Sequence, residues 1–167
     1  LIEKETGKRT DAIKVLVIMS PPNKTGMLLY SRKVRRVLGG IGVKRKNIVI
    51  VDITKDVKAD RFRMEDYDLL YSCGGNTFLI LDRLRKTGFA KWIKKYIKAG
   101  KLYLGFSAGS IIVHKTIELA GWGSCADQNM IDLKDLSGLD VFRTAIVPHY
   151  VLRHKKGLVP SPAPLRL

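Results

Sequence analysis

The sequence predicts an α/β fold, a three-layer sandwich on a mostly parallel sheet. Three observations carry this. Apolar segments alternate along the chain with amphipathic ones, the order of strand, helix, strand. The apolar segments are continuous runs, such as AIKVLVIM at 12–19 and NIVIVDI at 47–53, as expected of parallel strands covered on both faces. The chain has 167 residues, 46% of them hydrophobic, enough for the core of a single domain over 1–167.

Ala12 to Met19 is the first strand, stopped by Ser20-Pro21-Pro22. Gly26 to Leu38 follows as a helix, with Leu28, Leu29, Val34 and Leu38 as its inner face and Gly39-Gly40 as its end. Asn47 to Ile53 is the second strand, and Lys58 to Met64 a short helix. Asp68 to Ser72 is the third strand, running into Cys73-Gly74-Gly75-Asn76-Thr77. Phe78 to Lys86 is a helix capped by Asn76 or Thr77. Phe89 to Lys98 is another, with Trp92, Ile93, Tyr96 and Ile97 inward and Lys91, Lys94, Lys95 and Lys98 outward. Lys101 to Leu104 is the fourth strand. A helix from Ser110 to Leu119, a loop-rich stretch over 121–139 and a fifth strand, Arg143 to Pro148, complete the order. The segment 157–167 is rich in proline and is expected to be extended or disordered.

Lys and Arg number 31 against 15 Asp and Glu, a net charge of +16. Such a balance raises nucleic-acid binding. The cations, however, fall at helical spacing among apolar residues, the pattern of solvated outer helix faces. No zinc-finger, RNA-recognition or helix-turn-helix pattern appears, so no specific nucleic-acid partner is expected. No apolar run is long enough to span a bilayer, so no membrane role is expected. Cys73 and Cys125 form neither a disulfide framework nor a metal site and read as free thiols of a reducing compartment.

Chemistry is concentrated at Gly105-Phe106-Ser107-Ala108-Gly109. A strand, a sharp turn and a helix around G-x-S-x-G make the context of a nucleophile elbow. There a serine hydroxyl is exposed to a base, and the following N–H groups meet a developing oxyanion. His149 is the histidine placed at a neighbouring strand end. His114 lies two helical turns beyond Ser107, and His154 sits in a basic surface segment. Asp127 is the candidate to orient the base, with Asn129 and Asp132 as competitors. Gly74-Gly75-Asn76-Thr77 reads either as a strand-to-helix turn with a cap or as the donor of a second oxyanion N–H beside that of Ala108. Gly74, Ser107 and His149 all fall at carboxyl ends of predicted strands, where parallel sheets hold their sites.

Cys73-Gly74-Gly75-Asn76-Thr77-Phe78, Leu102-Tyr103-Leu104-Gly105-Phe106-Ser107-Ala108-Gly109-Ser110 and Pro148-His149-Tyr150, in that order, resemble the peptidase E family of serine peptidases. These aspartyl dipeptidases share their family with cyanophycinases. The resemblance implies a class I glutamine amidotransferase-like fold, with serine in place of the cysteine of those enzymes. It implies Ser107 as nucleophile, His149 as base, Gly75 and Ala108 as oxyanion donors, and an acid in the intervening loop, carried to Asp127. Gly74, Asn76 and Thr77 are the expected substrate-binding residues. The expected activity is that of a cytoplasmic hydrolase acting on short peptides, such as dipeptides with an N-terminal aspartate, through an acyl-enzyme and without metal or cofactor. Family members have a further strand before Ala12 and more structure after the histidine. The fold is therefore expected to be truncated at both ends, with open strand edges and self-association. Two other readings stand beside it: an esterase or amidase of α/β-hydrolase type, and a basic binding protein that is an inactive peptidase remnant.

Overall fold

A computed structural model describes residues 1–122 and 126–149. The expectations for Cys125, His154 and the Pro-rich segment 157–167 concern positions outside the described residues. The described elements in chain order are α1 (Ile2–Thr6), β1 (Val15–Met19), α2 (Lys24–Gly40), β2 (Ile48–Asp52), β3 (Leu69–Ser72), α3 (Thr77–Lys86), α4 (Phe89–Lys98), β4 (Leu102–Gly105) and α5 (Ala108–Ile111). The four strands form one parallel sheet in the order β2-β1-β3-β4. The chain steps from β1 to β2 on one side, then returns to lay β3 on the other. That reversal opens a crevice at the carboxyl ends of β1 and β3.

The period-two geometry of strands divides their side chains between two cores. Val15, Val17, Met19 and Leu69 pack with Val34 and Leu38 of α2. Leu16, Ile18 and Leu70 pack on the other face with Phe78, Leu81, Leu84, Ile93 and Tyr96 of α3 and α4. β1 is central, and none of its five residues is more than 2% exposed. Each such side chain contributes about 1.5–3 kcal/mol by leaving water. β2 is an edge strand, and Val49 on it is 39% exposed. Within α4, Trp92 and Tyr96 stack with ring centroids 5.0 Å apart, and Trp92 Nε1 donates to the Phe62 carbonyl at 2.7 Å. No described helix is long and apolar enough to cross a membrane.

Several sequence expectations are corrected. The inner face of α2 carries Val34 and Leu38, whereas Leu28 and Leu29 are more than half exposed. The helix is phased on the spacing Met27, Ser31, Val34 and Leu38, and it runs on through Gly39-Gly40. The 58–64 stretch forms two 3₁₀ turns, Ala59–Arg61 and Met64–Asp66. The helix expected over 110–119 ends after four residues. Its β-branched run Ile111-Ile112-Val113 is a poor helix former, and backbone bonds from Leu139, Val141 and Phe142 to Ile112 and Val113 take the chain elsewhere. Those bonds also divert the segment expected to lead into a fifth strand. Residues 143–149 form no strand, and β4 is the outer edge of the described sheet.

Candidate active site

β3 and β4 lie side by side in the register Ser72 to Gly105, so the loops after them start at the same level of the sheet. The elbow follows β4. Phe106 N–H donates to the Ser72 carbonyl at 3.0 Å, and the chain then turns at Ser107 with φ 53° and ψ −118°. A non-glycine residue in such a region costs about 1–3 kcal/mol and persists only where its surroundings hold it. Glycine is required on either side by close approach. A Cβ on Gly105 would lie 2.5 Å from the Gly109 carbonyl oxygen, and one on Gly109 would collide with the Ser72 carbonyl.

The loop after β3 closes on the serine. A Cβ on Gly74 would lie 2.9 Å from Ser107 Cβ, so only bare backbone fits there. Gly75 adopts φ 143°, a conformation open to glycine, beside the Ser20 carbonyl. Among the described residues, neither Gly75 N–H nor Ala108 N–H donates to a backbone carbonyl, whereas the neighbouring Cys73, Gly109 and Ser110 amides all do.

His149 Nε2 lies 2.9 Å from Ser107 Oγ. The Phe106 ring meets the imidazole edge-on, with centroids 6.3 Å apart at 79°. The contact is open to solvent, as a site for an external substrate must be. His114 is buried, with its ring nitrogens 3.3 Å from the Thr116 carbonyl and 3.2 Å from the Arg143 carbonyl. Both ring nitrogens are thus turned to backbone carbonyls, and because α5 ends at Ile111, His114 lies beyond the helix on which it was expected.

Asp127 occupies a different place from the one expected. Its Oδ2 accepts from Thr77 N–H at 2.8 Å and from Thr77 Oγ1 at 2.6 Å. No hydrogen bond joins it to His149, and among the described residues no carboxylate bonds His149 Nδ1. The competitors are also engaged elsewhere. Asn129 closes a turn through Leu133, and Asp132 pairs with Lys134. Thr77 is fully buried, so Asp127 satisfies an amide that water cannot reach. Asn76 caps α3 by accepting from Leu79 N–H at 3.1 Å, which settles the choice of cap, and its Nδ2 donates to the Gln128 carbonyl at 2.8 Å. The loop 126–129 is thus stapled to the loop that carries Gly75. The sequence did not reveal this, because hydrogen bonds between loops fifty residues apart leave no periodic signal.

A cavity of about 460 Å³ opens beside Ser107, Gly74 and Gly75. Val34, Val37, Tyr71 and Phe106 give it apolar walls, and among the described residues Lys33 is the one charged side chain lining it. Cys73 also lines it, and burial pushes its thiol up to about 12, which leaves it a poor nucleophile at neutral pH.

Comparisons with known proteins place the chain in a family. An uncharacterized peptidase of Pasteurella multocida (strain Pm70) is 39% identical over 83 residues, covering 50% of this chain and 40% of its own. Peptidase E of Salmonella newport (strain SL254) is 30% identical over 121 residues, covering 72% of this chain and 48% of its own. The chain therefore spans about half the length of the curated relatives it matches. Among solved structures, a Listeria monocytogenes EGD-e protein described as a peptidase E superposes with a TM-score of 0.71 at 26% identity. The superposition covers 88% of this chain and 71% of that one. The fold is thus α/β of the class I glutamine amidotransferase-like kind. The model of peptidase family S51 matches residues 26–161, and the chain belongs to that family.

Proposed function

We propose that this member of peptidase family S51 is a serine peptidase that hydrolyses short peptides through an acyl-enzyme. The observation that carries the proposal is the 2.9 Å contact between His149 Nε2 and Ser107 Oγ at a strained elbow. The imidazole takes the hydroxyl proton as Oγ attacks the substrate carbonyl carbon. The carbonyl oxygen becomes an oxyanion facing the Gly75 and Ala108 N–H groups. His149 returns the proton to the amine nitrogen as the C–N bond breaks and the amine leaves. Water then attacks the acyl ester by the same route and frees Ser107. Asp127 acts in this scheme on the oxyanion loop through Thr77.

The cavity beside Ser107 supports an acyl residue with a modest side chain, and Lys33 on its lining supports a carboxylate. Dipeptides with an N-terminal aspartate are therefore the proposed substrate class, with Gly74, Asn76 and Thr77 along the binding edge. Self-association through the β4 edge of the described sheet is proposed as well, because Leu104 on it is 44% exposed and Phe106 just beyond it is 51% exposed.

The experiment is a panel of Asp-X and Ala-X dipeptides and simple esters, assayed with the chain and with Ser107→Ala. Removal of a triad nucleophile typically lowers turnover by about 10⁶-fold. Turnover retained in Ser107→Ala removes this serine from the reaction. Preference for esters over dipeptides favours the α/β-hydrolase reading instead.

A further inference from the structure

Ser107 holds a backbone conformation that must be imposed from outside. Most of the hydrogen bonds around it are internal to the turn. Gly109 N–H donates to the Phe106 carbonyl, and both the N–H and the hydroxyl of Ser110 donate to the Ser107 carbonyl. A turn held only by itself can move as a unit. Among the described residues, two bonds tie it to the sheet. One is Phe106 N–H to the Ser72 carbonyl, before the serine. The other comes after it: Tyr103 Oη donates to the Gly109 carbonyl at 2.6 Å.

We infer that Tyr103 is a positioning residue that locks the elbow onto the sheet, so that Ser107 Oγ and the Ala108 N–H hold station against Gly75. The inference rests on reading Ser107 as the nucleophile. Tyr103 lies on β4 opposite Leu70, so its ring points under α5. α5 has only four residues and leaves its last carbonyls to find partners outside the helix. The phenol supplies one. Glycine at 109 lets that backbone settle onto Ser72, where a side chain would not fit. Burial raises the phenol well above the ordinary tyrosine range; the neighbouring Ser72 hydroxyl offsets part of the rise, and Cys73 adds to it. The group therefore remains a donor at neutral pH. Ser72 Oγ is buried without a hydrogen-bond partner, so among the described residues Tyr103 supplies the side-chain tie that follows the serine.

Tyr103→Phe keeps the ring and removes the donor. The chain and this variant are reacted with a fluorophosphonate, in which Ser107 Oγ displaces fluoride from phosphorus, and inactivation is resolved into an affinity and a maximal rate. The maximal rate is expected to fall about 10–100-fold, a partial loss of the order set by oxyanion-hole donors, with affinity changed less than twofold. Tyr96→Phe on α4, which removes a phenol that donates to the Tyr67 carbonyl at 3.2 Å, is the control for a merely structural change, and its maximal rate is expected to stay within twofold of the parent. An unchanged maximal rate in folded Tyr103→Phe overturns the inference. No labelling of Ser107 in the parent chain overturns the nucleophile reading instead. Hydrogen exchange separates the two, because it does not depend on chemistry at Ser107. In the parent, the Gly109 and Ser110 amides are expected to exchange at least tenfold more slowly than the amides of 126–129, and in Tyr103→Phe they are expected to lose that protection. Fast exchange in the parent, or protection kept in the variant, overturns the role of Tyr103.

Discussion

Asp127→Asn distinguishes a carboxylate that orients the base from one that holds the oxyanion loop. The Asp127 carboxylate accepts two bonds from Thr77, at 2.8 and 2.6 Å, and Thr77 is fully buried. Hydrogen bonds to a charged group contribute about 1.5–3 kcal/mol each. An asparagine keeps one acceptor oxygen but loses the charge, so we expect a loss of roughly half the pair, about 1.5–3 kcal/mol. For a chain of this size that lowers Tm by about 3–12 °C. In the proposed reaction the rate effect passes through Gly75, two residues before Thr77. Complete removal of one oxyanion donor lowers kcat about 10²–10³-fold. A displaced donor should lower it less, by roughly 10–100-fold. The pH–rate profile should keep its shape, because no hydrogen bond links Asp127 to His149. Removing a carboxylate that orients the base directly costs about 10⁴-fold in kcat through the wrong tautomer. Thermal melting and dipeptide kinetics across pH read both quantities. A loss near 10⁴-fold at unchanged Tm, or a pH profile that changes shape, would refute the loop-holding role. A double-mutant cycle with Thr77→Val should show coupling between the two positions.

Three further outcomes are expected. Gly109→Ala places a methyl group against the Ser72 carbonyl; it should destabilise the chain by about 1–3 kcal/mol in denaturant melts and abolish fluorophosphonate labelling. Burial pulls Asp68 upward, but the Lys14 N–H and the Lys8 ammonium outweigh it and hold the carboxyl below the ordinary aspartate range. A carboxyl depressed on folding contributes stability above its unfolded value and loses it as pH falls through the folded one. Acid melts should therefore steepen below about pH 4, and Asp68→Asn should flatten that limb; an unchanged slope removes Asp68 as its source. Leu104→Lys on the open β4 edge should shift sedimentation toward monomer, since an edge charge opposes strand pairing; an identical distribution removes β4 as the interface.

Where local pattern and packing agree, the elements were legible in the sequence. β1 reads as a continuous apolar run because both of its faces are covered, and the 3.6-residue spacing of Trp92, Ile93 and Tyr96 suffices to define α4 and its buried side. Gly105 and Gly109 mark the elbow because backbones approach there too closely for side chains, a constraint that acts on residue type directly. Other features required the assembled chain. Leu28 and Leu29 look like core on composition, yet the phase of α2 against the sheet turns them to water. Arg143 to Pro148 has the composition of a strand, yet bonds from Leu139, Val141 and Phe142 to Ile112 and Val113 lead that stretch off the β4 edge. The partner of Asp127 was decided the same way. A carboxylate in a loop accepts from whichever buried donor folding brings to it, and here that donor is Thr77 at the head of α3. Residue type and spacing indicated the chemistry open to Ser107 and His149; their 2.9 Å approach across forty-two positions depends on the path of the chain beyond β4, where Leu139, Val141 and Phe142 bond back to Ile112 and Val113, and no local stretch of sequence contains that path.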